Sequence, residues 1–166
     1  MADFKLKGNP FHTVGSLPAA GTQAPDFTLV GADLGPVTLG DLAGRKVVLN
    51  VFPSLDTAVC AASVRRFNEI AAGREGVTVL CVSMDLPFAS GRFCTAEGIE
   101  NVKSGSDFRD GAFGKAYGVR IADGPLEGLL ARSVIILDET GNVMYTELVP
   151  ETTQEPNYDA ALALLG

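Results

Sequence analysis

Apolar positions in the central part of the chain follow two different periods. Residues 47–52 and 77–83 are almost continuous apolar runs rich in β-branched side chains, which is typical of parallel strands buried on both faces. Between these runs, apolar positions recur at steps of four, three and four, as on one face of an α-helix; they are Cys60, Val64, Phe67 and Ala71. Gly73 ends this helix, and Cys60 is expected to be half sheltered by the core. The pattern therefore predicts a β-α-β unit.

Less regular segments precede this unit. Residues 4–7 and 11–14 flank the turn sequence Gly8-Asn9-Pro10, which predicts a small β-hairpin. Short apolar segments at residues 27–30 and 37–39 predict edge elements that lead into the first central strand.

The second half of the chain contains weaker helices and a second hairpin. The segment 87–98, which carries Cys94, is predicted to be a weak helix because Gly91 interrupts it. The remaining predicted elements are a short helix at 110–117, two strands at 133–137 and 143–148 joined by a glycine-containing turn, and a final helix after Pro156.

The order of these elements, β-α-β-α followed by β-β-α, predicts a thioredoxin-like α/β fold. It has an N-terminal β-hairpin and a central mixed sheet flanked by helices, with parallel strands where helices connect them and antiparallel strands at the late hairpin. Because the chain has 166 residues and no internal repeat or linker, we expect one domain over residues 1–166.

Composition and charge narrow the class of protein. A net charge of −7, with Arg65-Arg66 as the longest positive cluster, argues against nucleic acid and anionic membranes as partners. The N-terminus lacks an apolar run of signal-peptide length, and no stretch approaches a membrane span, so we expect a cytoplasmic protein. Three cysteines are an odd number, and in a reducing compartment any disulfide among them would be transient and functional.

Cys60 is the first candidate for chemistry. It follows Pro53 in the first turn of the predicted helix, where unpaired N–H groups and the helix dipole favour a thiolate over a thiol. Thr57 lies one turn earlier, close enough for its hydroxyl to bind the sulfur or an incoming substrate oxygen. Arg132 adjoins the strand 133–137, which a thioredoxin-like sheet places beside the strand that ends at Phe52, so its guanidinium is expected to reach the sulfur. Pro53 shapes the loop.

Structural roles compete with these interpretations. A cysteine at a helix start often serves as a small apolar residue, and Cys81, in the middle of a strand, is predicted to be an inert core residue. Cys94 is open to either a structural or a redox role.

Other kinds of site are not supported by the sequence. It has no Cys-x-x-Cys, no phosphate-binding loop and no dinucleotide fingerprint. The single His12 is predicted to be a surface residue, and with three scattered cysteines it does not give the spacing of a zinc site. Asp85 and Glu97 are predicted to be strand-end and surface groups and not an acid/base pair.

The spacing Pro53-x-x-x-Thr57-x-x-Cys60 resembles the active-site motif of the peroxiredoxins. The longer string at residues 52–65, FPSLDTAVCAASVR, is similar to the bacterial thiol peroxidase subgroup of that family. The resemblance extends from the N-terminal hairpin through Arg132 to the last helix, and a second cysteine at position 94 strengthens it.

This resemblance implies a cofactor-free peroxidase that acts on hydroperoxides. Cys60 would be the peroxidatic cysteine and become a sulfenic acid. Thr57 and Arg132 would hold the peroxide oxygens, and Pro53 would shield the intermediate from water. Apolar residues near the site, such as Phe52, Leu55 and Phe93, hint at alkyl hydroperoxides in addition to hydrogen peroxide.

The resemblance also implies how the enzyme is regenerated. Cys94 would be the resolving cysteine and form an intramolecular disulfide with Cys60, which a thioredoxin would reduce. The third cysteine, Cys81, would not be needed for turnover. The chain would pair as a homodimer.

A disulfide requires its two Cβ atoms to lie within about 4 Å, so the start of the helix at Cys60 must unwind to reach Cys94. We therefore expect the reduced and oxidised forms to differ mainly at residues 54–66 and 87–98, as measured by hydrogen exchange.

Two other functions fit parts of the pattern. A dithiol–disulfide carrier of thioredoxin type would need the Cys-x-x-Cys that is missing. A redox sensor would use a Cys60–Cys94 switch read by a partner protein, and fast turnover with thioredoxin would count against it.

Overall fold

The computed structural model describes all residues 1–166. It contains nine strands, four α-helices and one short 3-10 turn at Gly40–Leu42. The strands are β1 Asp3–Leu6, β2 Asn9–His12, β3 Thr28–Val30, β4 Pro36–Thr38, β5 Lys46–Val51, β6 Val77–Ser83, β7 Val102–Ser106, β8 Ser133–Leu137 and β9 Val143–Leu148. The helices are α1 Ala58–Ala71, α2 Pro87–Glu97, α3 Ala112–Ala116 and α4 Tyr158–Leu165. None of these helices is long and apolar enough to cross a membrane.

Seven of the strands form one mixed sheet in the order β4-β3-β7-β6-β5-β8-β9, and β1 and β2 form a separate hairpin. The strands β5, β6 and β7 are parallel because α1 and α2 connect them. The strand β8 runs antiparallel to both β5 and β9. The thioredoxin-like α/β fold predicted from the order of elements is thus confirmed, with its N-terminal hairpin.

Alternation along the central strands divides the core into two layers. On β5, Val47, Leu49 and Val51 pack with α3 and the loops on one face, whereas Val48 and Phe52 pack with α1 and α4 on the other. Both faces are covered, so the central strands are almost continuously apolar. The face that carries α1 and α2 also carries the three cysteines.

Most predicted elements are present with small changes in their bounds. The strands β8 and β9 have the predicted bounds, and α1 ends before Gly73, whose φ of +76° stops the helix. The prediction that Gly91 interrupts the helix at residues 87–98 is wrong, because α2 is continuous from Pro87 to Glu97. Gly91 lies where a side chain would meet open space, so its cost to the helix is only its low helix propensity.

One strand, β7, is absent from the sequence-based description. Its sequence, VKSGS, has a single apolar residue, and its conformation comes from pairing with β6. A Cβ at Gly105 would lie 2.7 Å from Leu29 Cδ1, so the small residues of β7 make room for the neighbouring strand β3.

The N-terminal hairpin turns at Lys7 and Gly8, which both have positive φ (51° and 83°) and match the tight turn preferred between antiparallel strands. The carboxylate of Glu151 accepts hydrogen bonds from both of their backbone N–H groups, at 2.8 and 3.1 Å. These bonds fasten the hairpin to the segment after β9.

Candidate active site

Cys60 is the third residue of α1, which begins after Thr57. Its side chain has no exposed surface and packs with Phe52, Leu55 and Val64. The prediction that it is half sheltered is therefore wrong: burial is complete, because Cys60 lies on the helix face that meets the sheet and the preceding loop covers it. The position at the helix start is as predicted, and it directs backbone N–H groups towards this end of α1.

A pocket of about 220 Å³ lies directly beside this helix start. Three of the predicted site residues, Pro53, Thr57 and Arg132, are in its wall. The complete lining is Leu6, Pro53, Ser54, Thr57, Ala58, Val59, Leu126, Leu129, Arg132, Thr152 and Thr153. Cys60 follows immediately on the lining residues at 57–59 but has no surface in the pocket.

Arg132 is the only ionisable side chain in this lining. It is 3% exposed, its Nε donates to the carbonyl oxygen of Thr152 at 3.0 Å, and its Nη1 is buried without a hydrogen-bond partner. No carboxylate forms a salt bridge with it; the salt bridges of the chain involve His12 and the arginines at 65, 66 and 92. A buried cation without a counter-charge is unfavourable by several kcal/mol unless an anion completes it, so the pocket is suited to negative charge.

Thr57 is at the mouth of the same pocket. Its hydroxyl donates to the carbonyl oxygen of Ser54 at 3.0 Å and does not cap the helix. Neither Thr57 nor Arg132 forms a hydrogen bond with the Cys60 sulfur, so the predicted direct contacts to the sulfur are absent from this structure. A hydroxyl needs only a rotation about χ1 to turn from Ser54 towards the pocket.

Cys94 lies on α2, which packs beside α1 on the same face of the sheet. Arg65 of α1 and Glu97 of α2 form a salt bridge at 2.7 Å, and Asp56 lies 3.8 Å from Arg92. The residues of these two pairs are 32 and 36 positions apart in the sequence. Cys60 and Cys94 are 34 positions apart, a separation between these two values. The two cysteines therefore lie at similar heights along neighbouring helices.

The environments of the three free thiols differ. Burial raises the pKa of Cys94, and a hydrogen bond from Ser104 partly opposes this effect. Burial raises the pKa of Cys81 to about 12, although Asn50 lies within hydrogen-bond reach of its sulfur at 3.7 Å. Cys81 is 5% exposed and lies in the core, as predicted.

The apolar wall of the pocket comes from residues that the sequence did not single out. Leu6 is in the N-terminal hairpin, and Leu126 and Leu129 are in the segment between α3 and β8. Phe52 and Leu55, which the sequence suggested, are core residues instead. No sequence signal could have found the wall, because its three leucines are brought together only by the docking of loops.

His12 and the acidic residues do not form a metal site. The His12 ring is partly exposed, and its Nδ1 lies 2.7 Å from Asp123 Oδ2 in a contact that raises the pKa of the imidazole. No group of three His, Cys, Asp or Glu side chains is arranged to hold a metal ion. Asp85 follows the end of β6, as predicted, and Glu97 is a surface group paired with Arg65.

Comparison with known proteins gives a consistent result. A family model described as Redoxin matches residues 19–162. The chain is 61% identical to a thiol peroxidase of Mycobacterium tuberculosis over 166 residues, which is 100% of this chain and 99% of that protein. It is 57% identical to a thiol peroxidase of Corynebacterium glutamicum, covering 100% of both. The crystal structure of a peroxiredoxin-like protein from Aquifex aeolicus superposes with a TM-score of 0.94 at 46% identity, covering 99% of this chain and 96% of that one.

Proposed function

We propose a reaction cycle for this chain from the premise that it belongs to the thiol peroxidases, a group of peroxiredoxins within the Redoxin family, and is therefore a peroxidase. In this cycle Cys60 reduces a hydroperoxide, Cys94 resolves the oxidised cysteine, and a thioredoxin restores both thiols. The cycle needs only thiols, the peroxide and the reductant.

The observation that carries the proposal is the buried, unpaired Arg132 in a pocket that begins at Thr57 and Pro53, next to the helix start that holds Cys60. The guanidinium and the N–H groups of the first helical turn favour the oxyanion that forms as the peroxide bond breaks. Because Cys60 is buried, a small movement of the loop at residues 54–59 must accompany the approach of substrate.

In the first step, the Cys60 thiolate attacks the terminal oxygen of the hydroperoxide. An S–O bond forms as the O–O bond breaks, so sulfur is oxidised to a sulfenic acid and the peroxide is reduced to an alcohol, or to water from hydrogen peroxide. The departing oxygen takes a proton from solvent, and we propose that Thr57 and Arg132 hold the two peroxide oxygens while Pro53 shields the sulfenic acid.

In the second step, the Cys94 thiolate attacks the sulfenic sulfur, a disulfide forms, and the hydroxyl leaves as water. Both cysteines are free thiols in this structure and the Cys60 side chain is completely buried against the sheet, so the start of α1 must move before the bond can form. The first turn of α1, which holds Cys60, lacks a side-chain cap, since Thr57 does not cap the helix. Local unwinding there costs less than it would at a capped helix.

In the third step, two thiols of a thioredoxin reduce the Cys60–Cys94 disulfide by exchange and become a disulfide themselves. We place this cycle in the cytoplasm, where such a reductant keeps thiols reduced.

We further propose that two copies of the chain form a homodimer. Three large apolar side chains are exposed: Leu86 at 50%, Phe88 at 69% and Phe108 at 37%. They lie just after the carboxyl ends of β6 and β7, at the end of the sheet where α1 begins. A second copy would remove this apolar surface from water. Sedimentation should detect a dimer that Phe88→Asp converts to a monomer, whereas a monomeric parent chain would contradict the proposal.

The substrates we propose are hydrogen peroxide and alkyl hydroperoxides. Leu6, Leu126 and Leu129 give the pocket an apolar wall in addition to its one charged group. Such a wall suits a substrate with an apolar body and a polar peroxide end.

The experiment that tests the cycle follows NADPH oxidation through thioredoxin reductase and thioredoxin with cumene hydroperoxide. Cys60→Ser should abolish activity, Cys94→Ser should reduce it sharply, and Cys81→Ser, the matched control, should keep it. Activity unaffected by Cys94→Ser would mean that an external thiol resolves the sulfenic acid. A parent chain without turnover would favour a redox sensor.

A further inference from the structure

We infer that Asp85 is a positioning residue that latches the loop at residues 53–57, and that this latch must open before Cys60 can reach Cys94. The inference rests on the proposed cycle. It arises from one carboxylate that accepts three hydrogen bonds, from Ser54 Oγ, the Leu55 N–H and Ser83 Oγ, each at 2.8 Å.

The latch reaches the reaction site through Ser54. While its hydroxyl is bound to Asp85, Ser54 accepts the N–H of Asp56 on its Oγ at 3.1 Å. Its carbonyl oxygen accepts both the N–H of Thr57 at 3.2 Å and the hydroxyl of Thr57 at 3.0 Å. A single carboxylate thus orders the loop from position 54 to Thr57, the residue that precedes α1.

Asp85 itself is held firmly on the sheet. Its N–H donates to Ser83 Oγ at 3.2 Å, and its carbonyl oxygen accepts the hydroxyl of Ser106 at the end of β7. Ser83 and Ser106 are 3% and 4% exposed, so these anchors are largely shielded from water. Asp85 also lies two residues before α2, the helix that carries Cys94. The latch therefore connects the peroxidatic loop to the start of the resolving helix.

This position gives the latch opposite effects on the two halves of the cycle. When it is closed, it orders Thr57 and the pocket wall for the reaction with peroxide. When it is closed, it also opposes the unwinding that disulfide formation requires. Loss of the carboxylate should therefore slow the oxidation of Cys60 and accelerate disulfide formation, whereas a substitution that destabilises the fold away from this loop should not accelerate disulfide formation.

The test compares Asp85→Ala with Asp138→Ala in the reduced protein. Asp138 is a matched control because its carboxylate also accepts three hydrogen bonds, in the β8–β9 turn outside the pocket. Rapid-mixing measurements with one equivalent of peroxide give the rates of Cys60 oxidation and of disulfide formation. Hydrogen exchange at residues 54–58, measured without peroxide, reports latch opening directly.

For Asp85→Ala we expect about tenfold slower oxidation, about tenfold faster disulfide formation and faster exchange at residues 54–58, as expected for the loss of bonds to a charged group. Ser54→Ala, which keeps the carboxylate, should shift both rates in the same directions by about threefold, and it serves if Asp85→Ala does not fold. Asp138→Ala should change none of the three. Unchanged exchange at residues 54–58, or a fall in both rates, would overturn the inference.

The proposed cycle and the latch fail in different ways. A parent chain that forms no Cys60–Cys94 disulfide would refute the cycle, and with it the role of the latch in resolution. The exchange measurement would then still decide whether Asp85 holds the loop.

Discussion

Val51 of β5 pairs with Ser133 of β8 in the antiparallel part of the sheet. The residues just beyond this pair, Phe52 and Arg132, therefore lie at the same end of the two strands. Side chains alternate along β8, so Arg132 points towards the face of the sheet that holds Cys60. The cation thus reaches the pocket from a strand that is distant in sequence from the cysteine it would serve.

Arg132→Gln should lower the second-order rate constant for Cys60 oxidation about 100- to 1000-fold, because it removes the cation proposed to stabilise the forming oxyanion. Arg132→Lys should lose less, since it keeps a charge. The rate constant is measured by rapid mixing with hydrogen peroxide. Arg45→Gln, at the opposite end of β5, is the control and should change little. An unchanged rate in Arg132→Gln would remove Arg132 from the reaction.

Thr57→Val should slow Cys60 oxidation about 10- to 100-fold, and Thr57→Ser should keep most of the rate, because the serine retains the hydroxyl proposed to bind the peroxide. The comparison separates the hydroxyl from the shape of the side chain. The same rapid-mixing experiment measures both variants. Equal rates for the two variants would mean that the hydroxyl has no part in the step.

Leu129→Ala should lower the rate constant for cumene hydroperoxide by about fivefold to tenfold and leave that for hydrogen peroxide unchanged, because only the larger substrate contacts the apolar wall. The measured quantity is the ratio of the two rate constants. Leu34→Ala, at an exposed position outside this pocket, controls for a general effect of losing a leucine. A fall in both rate constants would mean that Leu129 supports the fold and does not determine the preference between the two substrates.

Disulfide formation should accelerate with pH, because the attacking group is a thiolate and burial raises the pKa of Cys94 above its ordinary value of 9.0. Below that pKa the thiolate fraction increases about tenfold for each pH unit. Single-turnover measurements between pH 7 and 9 should follow this increase. Ser104→Ala should lower the rate at pH 8, since it removes a hydrogen bond that favours the thiolate. A flat profile would contradict attack by a buried Cys94.

The stability of the fold should decrease at alkaline pH through Cys81. Its pKa is raised from 9.0 to about 12, so the folded state keeps a proton that the unfolded state releases. Stability from this group is complete below pH 9 and falls by about 1.4 kcal/mol per pH unit as the pH rises towards the folded pKa. Urea unfolding of the parent and of Cys81→Ala at pH 8 to 10.5 gives the difference. Parallel pH dependences would contradict it.

The sequence predicts those elements whose burial is evident from their own pattern of apolar residues. The strands β5, β6 and β8 are apolar on both faces, and α1 repeats its apolar residues at helical spacing, so each is readable without its neighbours. The strand β7 was missed because its small and polar residues become a strand only through pairing. The sequence overstates the effect of Gly91, because the free-energy cost of its low helix propensity is small compared with the contribution from the packing of α2.

The parts of the candidate site that lie in one sequence motif could be predicted, whereas the parts that loops bring together could not. Pro53, Thr57 and Cys60 lie on one short segment, and the topology of the sheet brings Arg132 to them. The complete burial of Cys60 depends on how Phe52 and Leu55 fold over it, which spacing alone does not report. The sequence predicts Asp85 only as a strand-end group, because its three hydrogen bonds are to partners that the fold brings to it.

The N-terminal hairpin precedes the region that the Redoxin model matches, yet its Leu6 forms part of the pocket wall. Glu151, from within the matched region, fastens the hairpin through its turn. The wall therefore takes one of its three leucines from outside the region that the family model matches. A change in the hairpin can therefore alter the pocket wall without touching Pro53, Thr57, Cys60 or Arg132.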